Sequence, residues 1–171
     1  LKPFRGFKGG YKFKNYEANI RRMHRAGINV VGAFIFGFEQ DTPASFDRVY
    51  NFAMKNRLAM VNTGIMTPFP GTEVYEKARR EEKIFDFNWE NYTGANLVWN
   101  HPTMSKDEIE EAYTNFRRRF YTWPSIMKRF WANRAHPLYY FGMNFTHWWR
   151  AYRNDRARAL PSVPPSLSPL P

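Results

Sequence analysis

INVVGAFIFGFE, residues 28–39, is the stretch that decides the fold. It contains no polar residue between Val30 and Gly37, whereas a strand with one solvated face alternates apolar and polar side chains. The run therefore predicts a strand that is buried on both faces, as in a parallel sheet. Thr42 and Pro43 then predict a helix start, because Thr is a good cap and Pro suits the first helical position. The loop between such a strand and its helix is where parallel α/β folds bind ligands.

Helices and a second strand flank this strand. We predict helices at residues 15–26, 43–57 and 73–83 and a second strand at residues 58–67. The order helix–strand–helix–strand–helix predicts an α/β unit over residues 15–84 with a right-handed parallel crossover. Two strands alone do not form a stable parallel sheet. We therefore expect further strands from outside this segment, or a partner that supports it.

Cysteine is absent from the 171 residues. This excludes disulfides, thiolate nucleophiles and Cys-ligated zinc or iron–sulfur centres built from this chain alone. The four histidines, at positions 24, 101, 136 and 147, lack the paired spacing of metal ligands, so no metal site is expected. No apolar run approaches the ~18 residues that a membrane-spanning helix needs.

The formal charge of +11 is concentrated towards the two ends of the chain. Residues 1–38 carry eight Lys or Arg and one acid, and residues 101–171 carry eleven and five. Basic flanks indicate an anionic partner: nucleic acid, lipid headgroups or an acidic protein surface. Residues 1–14 are a basic, aromatic arm that either packs on the domain or stacks on nucleic acid. We favour packing, and a nucleic-acid partner is not expected because no recognition motif is present.

Residues 85–135 are predicted as an irregular aromatic connection followed by a helical region. Ser105 is the predicted cap of its first helix, which has acids in its first turn. The apolar stripe of this helix is formed by Ile109, Tyr113, Phe116 and Phe120. Pro124 begins another helical piece. At the end of the chain, the five prolines of residues 159–171 predict a flexible tail.

Residues 136–158 are predicted as a basic, aromatic, amphipathic helix with a stripe of rings at spacings of four, three and four. Such a helix suits either the surface of an anionic membrane or packing on the domain or on a partner subunit. Between Arg117 and Arg158 there are ten basic residues and one acid, which favours an anionic partner. The residues predicted at this partner or membrane interface are Phe141, Phe145, Trp148, Trp149, Arg150, Tyr152 and Arg153.

Three segments resemble a known family: GAFIFGFEQDTPASF at 32–46, TPFPGTEVYEKARREEKI at 67–84 and HPTMSKDEIEEAYTNFRRRFYTWPSIMKRF at 101–130. In order and spacing they are similar to the C-terminal part of radical S-adenosylmethionine proteins that carry an N-terminal cobalamin-binding domain. The resemblance covers roughly residues 15–135. It implies an α/β fold, a fragment of a partial (β/α)6 barrel followed by a helical, aromatic-rich C-terminal extension. Residues 28–37 would be the fifth strand of that barrel and residues 58–67 the sixth.

The same resemblance implies a cofactor site at the ends of these strands. The positions implied beside the adenine of S-adenosylmethionine are Ile35, Gly37, Thr67 and Pro68. The chain departs from the family pattern at Ala33, where the first glycine of the fifth-strand motif is expected, and at Glu39, where the acid is displaced by one position. A larger departure is the missing cysteine loop, since the [4Fe–4S] cluster of this chemistry requires thiolates.

Two functions from different classes are compatible with these residues. We favour a non-catalytic accessory subunit, cytoplasmic and peripheral to the membrane, that docks on a larger complex. Because the family includes the anaerobic ring cyclase of bacteriochlorophyll synthesis, a photosynthetic pigment–protein complex is a conceivable host. This preference takes the chain as complete and rests on its lack of thiols. The alternative is a C-terminal fragment of an intact methyltransferase or cyclase, which would use S-adenosylmethionine, an iron–sulfur cluster and cobalamin.

Overall fold

The fold is given by a computed structural model, which describes residues 16–158 and only the backbone of residues 152–158. The predicted arm at 1–14 and tail at 159–171 lie outside the described residues, as do the side chains of Tyr152 and Arg153. The elements are α1 Tyr16–Arg25, β1 Val31–Phe36, α2 Pro43–Lys55, β2 Met60–Ile65, α3 Glu73–Arg80, α4 Lys106–Phe120, α5 Trp123–Phe130 and α6 Pro137–Arg158, with a 3₁₀ turn at Trp89–Asn91.

The two strands pair in parallel, with Val31 opposite Met60 and Phe36 opposite Ile65. The protein is therefore mixed α/β, and the described residues contain six α-helices and this two-stranded sheet. Gly27 ends α1 with φ +75°, its N–H donating to the His24 carbonyl while the next N–H reaches back to Met23. This pair of hydrogen bonds is the usual pattern of a helix that ends at a glycine.

One face of β1 packs on a layer of helices. The Phe36 ring, 1% exposed, stacks on Phe46 of α2 at 4.3 Å and meets Phe116 of α4 edge-on at 5.2 Å. Burying these large rings in one cluster is the main source of stability in a domain of this kind. The predicted apolar stripe of α4 is confirmed, since Ile109, Tyr113, Phe116 and Phe120 are all buried.

The other face of β1 is exposed, so the prediction that this strand is buried on both faces is wrong for the described residues. Val31 is 47% exposed, Ile35 is 58% exposed, and Ala33 between them is also exposed. The described residues supply helices on one face of the sheet only. The near-continuous apolar run therefore predicts more burial than the structure shows. The run has the pattern of a strand that is covered on both faces, but the described residues cover only one face of β1.

The outer edge of β2 is closed by side chains and a loop. The Tyr121 hydroxyl donates to the Val61 carbonyl at 2.8 Å and accepts from the Val61 N–H at 3.3 Å. The Tyr113 hydroxyl donates to the Thr63 carbonyl at 2.9 Å, and the Ile65 N–H donates to the Gly94 carbonyl at 2.6 Å. These bonds satisfy most of the backbone groups to which a further strand would pair, so they hinder the addition of a strand beside β2.

The outer edge of β1 is open by comparison. In a parallel ladder, alternate residues direct their N–H and C=O groups to one side, and Val31, Ala33 and Ile35 direct theirs away from β2. No hydrogen bond between described residues reaches these outward groups. A row of unpaired backbone groups beside an exposed apolar face is a ready template for another strand.

Helices α5 and α6 cover the N-terminal end of β2. Arg129, 0% exposed, donates to the carbonyls of Leu58 and Ala59 at 2.9 and 2.7 Å. Asn144 of α6 also donates to Ala59 and accepts from Arg129. The guanidinium is therefore compensated by dipoles rather than by a carboxylate. No helix of the part that the structure describes is long and apolar enough to cross a membrane.

His147 makes the stability of this helical layer dependent on pH. Its ring stacks on Tyr121 at 5.0 Å, and burial, followed by Arg117 and Arg150, lowers the pKa of His147 from its usual value of 6.5. Because the folded state disfavours the protonated imidazole, the free energy of unfolding should fall as pH drops below about 6.5 and level off below the lowered pKa.

The check is urea denaturation of wild type and His147→Gln between pH 5 and 7. The wild type should lose more stability than the variant over this range, since only the wild type carries the group in question. Identical pH profiles would contradict the assignment.

Candidate functional site

The C-terminal ends of the two strands bring together the residues that the family resemblance indicates. Ile35 lies opposite Gly64, and Gly37 follows β1 at φ +85°. The Met66 N–H donates to the Phe36 carbonyl at 2.7 Å, so the two strands stay joined up to the last residues before their loops. Thr67 and Pro68 then leave β2 at the same edge of the sheet. Thr67 donates its hydroxyl to the Ile65 carbonyl, and Pro68 is buried.

Gly64 leaves room beside Ile35. The Ile35 side chain stands on the open face of β1, and its partner across the ladder has no side chain. A Cβ at Gly64 would lie 3.4 Å from the Gly94 carbonyl oxygen, which is tighter than most such contacts. The result is an apolar strip at the strand ends that is open to solvent at Ile35.

Asp41 shapes the loop after β1. One of its carboxylate oxygens accepts from the Gly37 N–H at 2.9 Å and from the Phe38 N–H at 3.1 Å. Position 37 favours glycine because its φ of +85° disfavours residues with a side chain, although a Cβ there would meet only ordinary contacts. The acid after the strand therefore holds the loop rather than pointing into an open site.

A buried pair of rings, Trp99 and His101, connects the two strand ends. His101 Nδ1 accepts from the backbone N–H groups of Thr103 and Met104 at 3.2 and 3.1 Å. Nε2 consequently carries the proton, and it donates to the Phe38 carbonyl at 2.8 Å. The Trp99 indole N–H donates to the Met66 carbonyl at 3.2 Å. One short segment thus ties the loop after β1 to the loop after β2.

Sequence reasoning misses this connection. The spacing of the histidines bears only on metal binding, and the neighbours of His101 in sequence carry no motif for a backbone-binding histidine. The one available signal is its position at the start of the 101–130 segment that resembles the family. Its role depends on a loop from a distant part of the chain, which no local pattern reports.

Glu39 lies at the surface beside this loop. It accepts from Lys77 at 2.9 Å and from Lys83 at 3.0 Å, linking the loop to α3 and the residues that follow it. The hydrogen bonds from Lys77 and Lys83 lower the pKa of the Glu39 carboxyl. Because these groups are exposed, the ion pairs contribute little to stability. They do mark Glu39 as a structural residue of this edge.

Of the groups that the resemblance implies, the residues at the strand ends are compatible with the adenine of S-adenosylmethionine but not with the iron–sulfur cluster. An adenine ring could lie against Ile35 over Gly64, where the face is open and uncharged. A [4Fe–4S] cluster finds no ligands, since the chain has no cysteine and no group of three or more metal-ligating side chains occurs among the described residues. The strand ends are thus compatible with an adenine ring, whereas the residues of this chain supply no ligands for the cluster.

A separate cleft lies at the opposite end of the strands. It has a volume of about 350 Å³ and is formed by α1 and the end of α2. Its lining includes Glu17, Arg21, His24, Arg25, Lys55 and Arg57. None of the residues predicted at the cofactor site lies in it.

The predicted interface residues of α6 do not form a single exposed stripe. Phe145, Trp149 and Arg150 are exposed. Phe141 is partly buried against Phe130 at 4.9 Å, and Trp148 packs on the core and on Trp123. The helical spacing identifies an apolar face, but α5 covers part of it.

Comparison with known proteins gives the chain clear relatives, although no protein-family model matches it. It is 32% identical over 122 residues to a bacteriochlorophyllide d C-12(1)-methyltransferase of Chlorobaculum tepidum, and 30% identical over 120 residues to the C-8(2)-methyltransferase of the same organism. A third relative, 26% identical over 108 residues, is the anaerobic magnesium-protoporphyrin IX monomethyl ester cyclase of Cereibacter sphaeroides. The chain is homologous to methyltransferases and cyclases.

These alignments cover much of this chain and little of the relatives. They include 71%, 68% and 63% of the chain, but 26%, 26% and 17% of the respective relatives. Methyl transfer and ring closure are the two activities that the resemblance to radical S-adenosylmethionine proteins implies. The relatives are enzymes, so they favour the enzymatic alternative, and none of them supports the accessory subunit that the sequence alone favours.

Proposed function

We propose that this chain forms the C-terminal part of the catalytic domain of a radical S-adenosylmethionine methyltransferase or cyclase. In this proposal β1 and β2 are the last two strands of a larger parallel sheet, the partial (β/α)6 barrel. The preceding strands, which carry the cysteine loop, belong to a polypeptide segment or a chain other than these 171 residues. The proposal replaces the accessory subunit, and the similarity to several enzymes supports it.

The unequal edges of the sheet carry the proposal. The outer edge of β2 is closed by Tyr113, Tyr121 and Gly94, while the outer edge of β1 is unpaired among the described residues and its second face is apolar and exposed. Further strands can add beside β1 and are hindered from adding beside β2. In the partial barrel of the family, the sixth strand is the last and the fifth pairs with the one before it. The two edges match these positions.

The residues of this chain would bind and orient S-adenosylmethionine at the strand ends. Ile35 would pack against the adenine, and Gly64 would leave the space that the ring occupies. Asp41 and His101 would hold the loop after β1 in place, and Thr67 and Pro68 would border the ring from β2. S-adenosylmethionine supplies the radical chemistry of this enzyme class when it is bound to a reduced iron–sulfur cluster. Cobalamin, if used, would be bound outside the described residues.

Purification of the native protein under anaerobic conditions tests the proposal. We expect a polypeptide that continues into a cysteine-bearing segment, or a stable partner that supplies one, with about four iron atoms per S-adenosylmethionine site. Reduction should then yield 5′-deoxyadenosine. A native protein of 20.4 kDa that contains no iron and has no cysteine-bearing partner would restore the accessory interpretation.

Substitution on the open face of β1 tests the cofactor site itself. Ile35→Ala in the native protein should weaken S-adenosylmethionine binding about tenfold, because one large apolar contact to the adenine, worth about 1.5 kcal/mol, is lost. Val31→Ala is the matched control, since Val31 lies on the same face of the same strand at its far end. Equilibrium dialysis with S-adenosylmethionine measures both. Equal loss in the two variants would argue against a site at Ile35.

A further inference from the structure

Helices α5 and α6 together expose a large apolar face that neither the cofactor site nor the sheet uses. Its exposed side chains are bulky, and Leu138 is 90% and Trp131 66% exposed. Exposed apolar patches of this kind mark surfaces that bind proteins or membranes. We define the hairpin face as Trp123, Met127 and Trp131 of α5 and its end, with Leu138, Phe145 and Trp149 of α6.

The two helices run antiparallel, as two ring contacts between them show, and the side chains of the hairpin face are exposed on each of them. Trp123, at the start of α5, lies 6.1 Å from Trp148, near the other end of the hairpin, and Phe130 lies 4.9 Å from Phe141. The opposite side of the hairpin is committed to the fold. Ile126, Arg129, Tyr140 and Asn144 are at most 1% exposed and pack against the start of β2.

The charged residues that the hairpin itself contributes up to position 154 are all basic. No Asp or Glu occurs in the sequence between Glu111 and Asp155. Lys128, Arg134 and Arg150 are exposed next to the aromatic residues. An apolar, ring-rich surface whose own charged residues are cationic is complementary to a surface that is apolar inside and anionic outside.

We propose that the hairpin face binds the surface of an anionic lipid bilayer. Trp and Phe rings prefer the headgroup region, where their apolar bodies leave water, and Lys and Arg beside them meet lipid phosphates. Such binding is peripheral, as the helices lie in the interface plane. The hairpin covers the N-terminal end of β2, so the cofactor edge with Gly37 and Thr67 faces away from the lipid. This inference does not depend on the proposed function.

Sedimentation of the 171-residue chain with lipid vesicles tests the proposal. We expect binding to vesicles of equal parts phosphatidylcholine and phosphatidylglycerol, and at least about tenfold weaker binding to phosphatidylcholine alone, because the cationic residues of the hairpin require negative charge. Raising the salt concentration should weaken binding to the anionic vesicles. Trp fluorescence should shift to shorter wavelength on binding, as the indoles leave water.

Two pairs of substitutions separate the hairpin face from aromatic exposure in general. Trp131→Gln with Leu138→Gln should weaken binding to the anionic vesicles by at least about tenfold, because two large apolar groups no longer leave water. Phe87→Gln with Trp89→Gln is the matched control and should bind like wild type, since these residues are 60% and 58% exposed but lie far from the hairpin in the aromatic connection. Circular dichroism confirms that each variant is folded.

The charge variant Lys128→Gln with Arg134→Gln gives an independent measurement of vesicle binding. It tests the proposal even if the apolar variant does not fold. Both residues are exposed, so folding should be unaffected. It should weaken binding to anionic vesicles and leave binding to phosphatidylcholine unchanged. Failure of the wild type to bind anionic vesicles overturns the proposal, as does equal weakening by the control pair. Self-association of the wild type that the hairpin variant abolishes, without vesicle binding, would assign the face to contacts between copies of this chain.

Discussion

Arg129→Ala should lower the free energy of unfolding by about 4 kcal/mol, the largest effect that we expect from a single substitution. Arg129 is among the largest fully buried side chains, so its removal leaves a cavity. It also removes the donor to the Leu58 carbonyl at 2.9 Å and to Asn144 Oδ1 at 3.2 Å. The Ala59 and Phe120 carbonyls keep other donors, Asn144 and Ser125. The loss therefore combines a cavity with two unsatisfied acceptors.

Burial of the Arg129 charge lowers the free energy of unfolding, and the size of this cost can be measured. Burial lowers the pKa of Arg129, and the guanidinium is compensated only by carbonyls, Asn144 and the Phe120 ring at 3.8 Å. Arg129→Met keeps most of the volume and removes both the donors and the buried charge. We expect a loss of about 2 kcal/mol, less than for Ala, because desolvation of the charge is relieved.

Urea denaturation at neutral pH measures these differences. Lys128→Ala is the control, since Lys128 is the neighbouring residue of the same helix and is exposed. It should change the free energy of unfolding by less than about 0.5 kcal/mol. A loss below about 1 kcal/mol for Arg129→Ala would show that the hairpin is not anchored to β2 through this residue.

Tyr121→Phe should cost about 2 kcal/mol and is the second large effect. The substitution keeps the ring and its stacking on His147, but it removes the hydroxyl from the Val61 N–H and C=O. Both groups lie at the outer edge of β2, in a buried position that water does not reach easily. Leaving them without partners is therefore more costly than losing an exposed hydrogen bond.

A pH series checks the same hydroxyl independently. Burial raises the pKa of Tyr121 to about 12. Since the folded state favours the protonated phenol, wild type should lose stability between pH 10 and 12 to a greater extent than Tyr121→Phe. Tyr139→Phe is the control because Tyr139 is 56% exposed, and it should be about as stable as wild type at neutral pH. A Tyr121→Phe protein as stable as wild type would mean that β2 does not depend on this hydroxyl.

The sequence predicts the elements of the fold well and their surroundings less well. Helical periodicity, the helix start at Thr42 and Pro43 and the cap at Ser105 are local signals, and the helices they predict are present. Burial of Val31 and Ile35, which the same apolar run predicts, is wrong for the described residues, because burial depends on what covers a strand. A buried arginine in α5 could not be predicted, since its acceptors are carbonyls at the start of β2.

The candidate site is predicted through resemblance rather than through composition. Ile35, Gly37, Thr67 and Pro68 lie at one edge of the sheet, and their use for cofactor binding is a proposal. Trp99 and His101, which connect the loops at that edge, carry no sequence motif that predicts this contact. The absence of cysteine favours a non-catalytic subunit, whereas the relatives are enzymes. A residue type that is missing from one segment says nothing about the rest of a protein.

The unequal edges of the sheet have a consequence for protein engineering. A chimaera that joins the upstream half of one relative to residues 16–158 of this chain would create only one new strand junction, along β1. The Tyr113 and Tyr121 hydroxyls belong to the same segment as β2, so they keep their hydrogen bonds to its outer edge whichever upstream half is joined. Under the proposed function, exchange of this segment between related proteins should therefore require matching side chains along β1 only.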